Sequence, residues 1–324
     1  MKRNIVINYA KRLHSKYSLT FPVDLEMIAN EYAELRYLPI PFEIDGVSAN
    51  LKKPGARPTI IVNNGRPKKR QRFTLAHEIG HVLIPWHMGT IFDVTDCHSS
   101  NGVEYWEMES EANAFATELL MPASWVQELI AGNEDVAEVN EEIMNQADVS
   151  AIAATLRLRS ELPSGYVFIV LDSEEVVTYS GRTDGTHVDA AIVGEYCDIQ
   201  KEYPYSQCIY EFKTYWERFI WIQMKDAMPL PPIKYRPWRE VLEDILEDAS
   251  DDASTKTTLK QQLNGVLGYA NGFVKRGEVC EEKLFAACMQ RLSSKDHLNV
   301  IVIHPFFSEF LTSKIKDLIS KEKN

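Results

Sequence analysis

RFTLAHEIGHVLI (residues 72–84) decides the reading of this chain. Phe73, Leu75, Ala76, Ile79 and Val82 recur at helical spacing and predict a helix from about Gln71 to Ile84, stopped by Pro85. His77 and His81 stand at i and i+4, so both imidazoles project from one helical face and can reach one divalent ion. Glu78 is poorly placed as a ligand, but it can reach water beside such an ion and act as a base. The bland reading is two surface histidines on an amphipathic helix. The apolar residues that fill the other faces argue for a buried, built site instead.

A catalytic zinc site needs a third protein ligand and an open position. One source is the next predicted helix, about Glu104 to Leu120, in YWEMESEANAFATELLMP (residues 105–122). It offers Glu107, Glu109 and Glu111. Asn113 lies one turn after Glu109, where an amide can orient an imidazole through its free N–H. Glu107 and Glu111 fall on other faces and read as solvated acids. The other source is His87, six residues after His81, the spacing of proteases with three histidine ligands. Ile84 stands where those proteins need a glycine turn, so His87 reads as an alternative ligand or a residue lining the cleft.

The pairing of RFTLAHEIGHVLI with ESEANAFATELLMP, 25 residues on, resembles the ImmA/IrrE family of zinc-dependent metallopeptidases. FPVDLEMIANEYA (21–33), DGVSANL (45–51) and TIIVNN (59–64) also fit that family's N-terminal half, so the likeness covers about residues 5–130. The resemblance implies an α+β fold with a small gluzincin-like metallopeptidase domain. It implies His77, His81 and Glu109 as zinc ligands, Glu78 as catalytic base, and Asn113 behind a ligand. Other divalent ions suit the same donors. It further implies a narrow protein substrate, a helix-turn-helix repressor or antitoxin-like regulator, cleaved in a stress response or for a mobile element. Many members begin with a helix-turn-helix DNA-binding domain; this sequence starts at the peptidase region. The competing function is a non-enzymatic, metal-containing regulator or sensor that binds a protein partner through its C-terminal half.

Outward from this core, residues 1–130 are expected to form the metallopeptidase domain. Within it, Ile5, Ala10, Leu13 and Tyr17 line one helical face, and Leu25, Ile28, Ala29 and Tyr32 a second. Val47–Leu51 and Thr59–Asn63 are β-prone, and the latter could pair with an extended substrate or be a plain internal strand. Tyr105 and His98 are candidate oxyanion donors. His87 to Val103 reads as loop. Residues 131–162 are a helical, helix-turn-helix-like segment, with Arg157 and Arg159 its only bases; a packing role fits better than DNA reading. Residues 163–237 are β-rich, with sensor-like character by the same resemblance. Residues 238–324 form a helical C-terminal region in which Glu247–Ser254 reads as loose and Val300–Ile303 as strand-like. In the stretch Tyr210 to Trp221, Tyr210, Tyr215, Trp216, Phe219 and Trp221 are expected mostly in the core.

Acids outnumber bases 47 to 35, for a formal charge of -12. So acidic a chain repels phosphate backbones, and direct nucleic-acid binding is not expected. The basic run Arg66, Lys68, Lys69, Arg70 and Arg72 is the local exception; it reads as a solvated loop, with Arg72 covering an acid. No apolar run is long enough to span a membrane, and the N-terminus has no secretory pattern. The five cysteines are odd in number and scattered, as in a reduced cytoplasmic protein.

Overall fold

The apolar stripe of residues 2–17 forms α1 (Lys2–Tyr17), which buries Val6, Ala10 and Leu13, while Ile5 stays exposed. α2 (Leu25–Tyr32) buries Leu25, Ile28 and Ala29, and the Asp24 carboxylate caps it by accepting from Met27 N at 2.9 Å. This computed structural model describes residues 2–41, 43–94, 103–225, 227–232, 236–274 and 280–322. They divide into two compact units, residues 1–161 and 162–324.

In unit 1 the chain continues through β1 (Glu34–Leu38), β2 (Ile44–Leu51) and β3 (Thr59–Asn63) to α3 (Lys68–Leu83). β4 (Gly89–Val94) and α4 (Val103–Leu120) follow, then α5 (Ala123–Gly132), α6 (Val136–Gln146) and α7 (Ala151–Glu161). The four strands make one sheet in the order β1-β3-β2-β4. β3 pairs parallel with β1 and antiparallel with β2, so it is internal and has no edge for a substrate. Both β1 and β4 depart from the sequence reading. β1 is an exposed edge strand with no in-out alternation to betray it. β4 buries Ile91 and Asp93 and exposes Phe92, so a carboxylate holds one of its inward positions and the segment reads as polar loop.

α3 is buried on nearly all sides, with every residue from Thr74 to Val82 in the interior. It packs on β2 and on α4. Gly80 permits the second contact: a Cβ there would meet Phe115 Cδ1 at 3.0 Å. The basic run is not simply a solvated loop: α3 begins at Lys68, and Arg66, Lys69, Arg70 and Arg72 each reach a fixed acceptor. Arg66 Nε lies 2.6 Å from Asp45 Oδ1, and Arg70 Nε donates to Asp45 Oδ2 at 2.6 Å. Lys69 donates to Val149 O and Arg72 to Val23 O, each at 2.7 Å. Arg157, in the helix-turn-helix-like segment, likewise donates to the buried Glu118 at 2.8 Å.

Unit 2 opens with an antiparallel sheet of β5 (Tyr166–Leu171), β6 (Val177–Arg182), β7 (Ser206–Lys213) and β8 (Arg218–Met224), in the order β6-β5-β8-β7, with the short α8 (Ile199–Glu202) before β7. Val167, Ile169, Leu171, Ile220 and Ile222 line one core of this sheet. Phe219 and Trp221 are buried as expected, but Tyr215 and Trp216 sit exposed in the β7–β8 turn. The remainder is helical: α9 (Trp238–Ala249), α10 (Ala253–Val274), α11 (Glu281–Ser293), α12 (Asn299–Val302) and α13 (Phe307–Glu322). Of the acidic stretch, residues 247–249 end α9 and 253–254 open α10, and in the turn between them Asp252 accepts from Thr255 N at 2.7 Å. Val300–Ile303 lies largely in α12, not in a strand, because Leu298 and Ile301 are drawn into the helical core. Among the described residues no helix is long and apolar enough to cross a membrane, and Cys197, Cys208, Cys280 and Cys288 are free. Cys97 and His98 lie outside the described residues.

Candidate metal centre

The close approach of α3 and α4 brings one carboxylate of α4 onto two imidazoles of α3. His77 Nε2 and His81 Nε2 are 2.9 Å apart. Glu109 Oε2 lies 3.1 Å from the first and Glu109 Oε1 3.4 Å from the second. His77 Nδ1 donates to Asn113 Oδ1 at 3.0 Å, which turns its Nε2 toward His81 and Glu109. Glu109 Oε1 is buried and has no hydrogen-bond donor. Ligand atoms of His77, His81 and Glu109 all fall within 4.8 Å of one another. Two imidazole nitrogens and an unsatisfied carboxylate oxygen, converging in the interior, are what a divalent cation satisfies. The donor set fits zinc.

Electrostatics describe the same strain. Burial opposes a charge on His77, but the Glu109 bond and the carboxylates of Glu78 and Asp93 outweigh it and raise the imidazole to about 9. Burial and the charge on His77 push His81 down to about 3. Two imidazoles this close cannot both be positively charged. Burial would lift the Glu109 carboxyl, yet the two histidines hold it down to about 2.

Glu78 is fully buried behind this group, and burial pushes its carboxyl up to about 8. Ser48 Oγ on β2 donates to Glu78 Oε2 at 2.5 Å, while Oε1 has no partner. Gly46, two residues earlier on the same face of β2, leaves room for that free oxygen: a Cβ there would lie 2.5 Å from Glu78 Oε1. Asp93 on β4 completes a second grouping with His77 and Glu78. Sequence reading missed Ser48, Gly46 and Asp93. The Gly-Val-Ser spacing, with glycine and a small donor on one strand face, is the only local signal of the first two.

Glu107 is exposed, 3.8 Å from Lys2 Nζ, and takes no part. Glu111, expected in solvent, is instead buried and bonded to Trp86 and His87. His87 is fully buried, so it does not line a cleft mouth, and its Nδ1 faces His81 Nδ1 rather than the ligand atoms. Tyr105 OH donates to Phe92 O on β4 at 2.7 Å, which ties it to the sheet edge.

Paired histidines on a buried helix, a carboxylate from the next helix and an acid behind them describe the metal centre of a metallopeptidase-type domain. Residues 31–159 match the model of the IrrE N-terminal-like domain, peptidase family M78. Part of the chain is thus an IrrE/ImmA-like metallopeptidase-family domain. The chain is similar to the radiation response metalloprotease IrrE of Deinococcus radiodurans, 30% identical over 111 residues, 34% of this chain and 34% of that protein. It is also similar to the protein of the same name from Deinococcus deserti, 30% identical over 142 residues, 41% of this chain and 50% of that protein. It therefore spans no more than half the length of these curated relatives.

Proposed function

We propose that the chain is a zinc-dependent endopeptidase that cuts a specific regulatory protein, a helix-turn-helix repressor or antitoxin-like partner. The observation that carries this reading is the buried convergence of His77, His81 and Glu109 with an unpartnered oxygen of Glu78 beside it. The family likeness supports regulatory proteolysis. In this reading the metallopeptidase domain is residues 1–130, followed by the helical segment 131–162, a sensor-like β-rich region 163–237 and the helical region 238–324.

His77, His81 and Glu109 hold the ion, which supplies Lewis-acid polarisation of a carbonyl and a lowered pKa for water. Glu78 Oε1 takes one proton from the attacking water as the new C–O bond forms. It passes that proton to the amine as the C–N bond breaks. Burial raises the Glu78 carboxyl above its ordinary value, which strengthens it as a proton acceptor. Ser48 holds the other oxygen still, and Asn113 fixes the tautomer of His77.

Among the described residues β4 is the sheet edge beside Glu78, through Asp93, and an extended substrate can add to it as a further strand. A cleft of about 540 Å³ runs from Glu109 and Asn113 along α4, walled by Ile7, Phe73, Trp106 and Leu156, and receives an apolar side chain.

The test is zinc content of the purified chain, expected at one per molecule. It is paired with cleavage of co-encoded helix-turn-helix proteins, with and without chelator. A chain that takes up no zinc, or zinc-loaded protein that cleaves none of them, counts against the reading. Asn113→Ala should weaken zinc binding by about tenfold, read by chelator competition, because the His77 tautomer is no longer held.

A further inference from the structure

Trp86, His87 and Glu111 form a buried polar chain next to the ligands that the mechanism above does not use. Pro85 ends α3, and the backbone folds back, His87 N donating to Ile84 O at 3.3 Å. Residue 87 thereby lies beside residue 81. His81 Nδ1 and His87 Nδ1 are 2.8 Å apart. His87 Nε2 is 3.1 Å from Glu111 Oε2, and Trp86 Nε1 lies 2.5 Å from the same oxygen.

The proton positions follow from donor chemistry. An indole N–H only donates, so Glu111 Oε2 accepts. A bare His87 Nε2 against that oxygen would set two lone pairs face to face in the interior, at the cost of an unsatisfied buried contact. His87 therefore carries its proton on Nε2 and gives it to Glu111. Its Nδ1 is then a lone pair, which accepts the proton on His81 Nδ1. His81 Nε2 is left bare, aimed at His77 Nε2 and Glu109.

Resting on the zinc reading above, we propose that Glu111 and His87 are positioning residues that lock His81 in its metal-binding tautomer through a two-link hydrogen-bond relay, held at its far end by Trp86. His87 is not a ligand here; it stands between the ligand and the carboxylate. The two imidazole ligands are thus oriented by different means. His77 rests on the neutral amide of Asn113, and His81 on an imidazole backed by a carboxylate.

Ring-15N histidine spectra of the full-length chain, with and without zinc, read the tautomers directly. The expected pattern is Nδ1–H on His81 and Nε2–H on His87 in both states. Nδ1–H on His87 overturns the relay. Chelator competition on His87→Phe, which keeps ring volume but removes the acceptor, should show zinc binding weakened about 10- to 100-fold. Glu111→Ala should do the same. Glu111→Gln retains a carbonyl acceptor for both donors and should restore most of the affinity. Zinc affinity of His87→Phe within twofold of the unaltered chain also overturns the relay. Should that variant not fold, the spectra of the unaltered chain still decide. An unaltered chain that takes up no zinc sinks the metallopeptidase reading itself. One that binds zinc with His87 in the other tautomer sinks the relay alone.

Discussion

Glu78→Gln is expected to lower peptide cleavage by about 10³- to 10⁴-fold, the upper part of the range for general acid–base catalysis, while zinc content stays at one per chain. Gln matches Glu in size, and its carbonyl still accepts from Ser48 Oγ, so the three ligands keep their places. What it lacks is the ability to take a proton from water and deliver it to the leaving amine. The substitution also reads out the electrostatics. The Glu78 carboxyl is raised by burial from its ordinary 4.5 to about 8. A raised folded-state value means the folded protein favours the proton-bound form, and stability declines as pH climbs from 4.5 through 8. Gln never carries that charge. In the metal-free state, stripped by chelator, the variant should match the unaltered chain near pH 4 and gain on it as pH rises. Each tenfold change in proton affinity is worth about 1.4 kcal/mol, so the gain at pH 8 should be on the order of a few kcal/mol. Thermal unfolding across that pH series checks it. A gap that does not widen with pH would mean that Glu78 is not held against its charge.

The part of the site that lies on one helix was open to sequence reasoning, because i and i+4 identity is a local fact. His77, His81 and the apolar faces of α3 need only a helical period. Glu109 and Asn113 were reachable for the same reason, since they sit one turn apart on α4. Their meeting with α3 was not, for it depends on Gly80 admitting Phe115, a contact between residues 35 positions apart. The same limit explains Glu111. Helical spacing puts it off the Glu109 face, and that alone says solvent. Only the fold-back after Pro85 supplies the indole and imidazole that cover it. β4 escaped because Asp93 occupies a buried position, so a buried carboxylate interrupts the alternation that marks a strand. The basic run misled in the opposite direction. Charge implies solvent or phosphate, whereas Arg66 and Arg70 are turned inward onto the buried Asp45. In each case the missing information is which distant group arrives, and no local period encodes it.

Gly46→Ala tests that kind of long-range dependence at Glu78, the proposed proton carrier. It should lower kcat by about 10²-fold, the scale expected for displacing a reacting group by about 1 Å. Gly46 lies on β2 opposite Val62 of β3 and Asp93 of β4, so the strand is paired on both sides and cannot drift away. An added methyl carbon would sit 2.5 Å from Glu78 Oε1 and 2.6 Å from Thr74 Cγ2. Neither neighbour is a loose end. Thr74 is buried on α3, and Glu78 is tethered by Ser48 from the same face of the same strand. The carboxyl must therefore swing, losing the Ser48 bond, or α3 must lift from the sheet. Overpacking of this size costs about 1 to 3 kcal/mol of stability. None of the three atoms nearest the new methyl belongs to His77, His81 or Glu109, so zinc affinity should stay within a few-fold. Ser48→Ala makes the complementary cut, releasing Glu78 without crowding it, and should reduce kcat less than Gly46→Ala does. Retention of full kcat by Gly46→Ala would show that the free oxygen of Glu78 is not the proton carrier. Parallel loss of zinc would show instead that β2 supports the ligands and not the base.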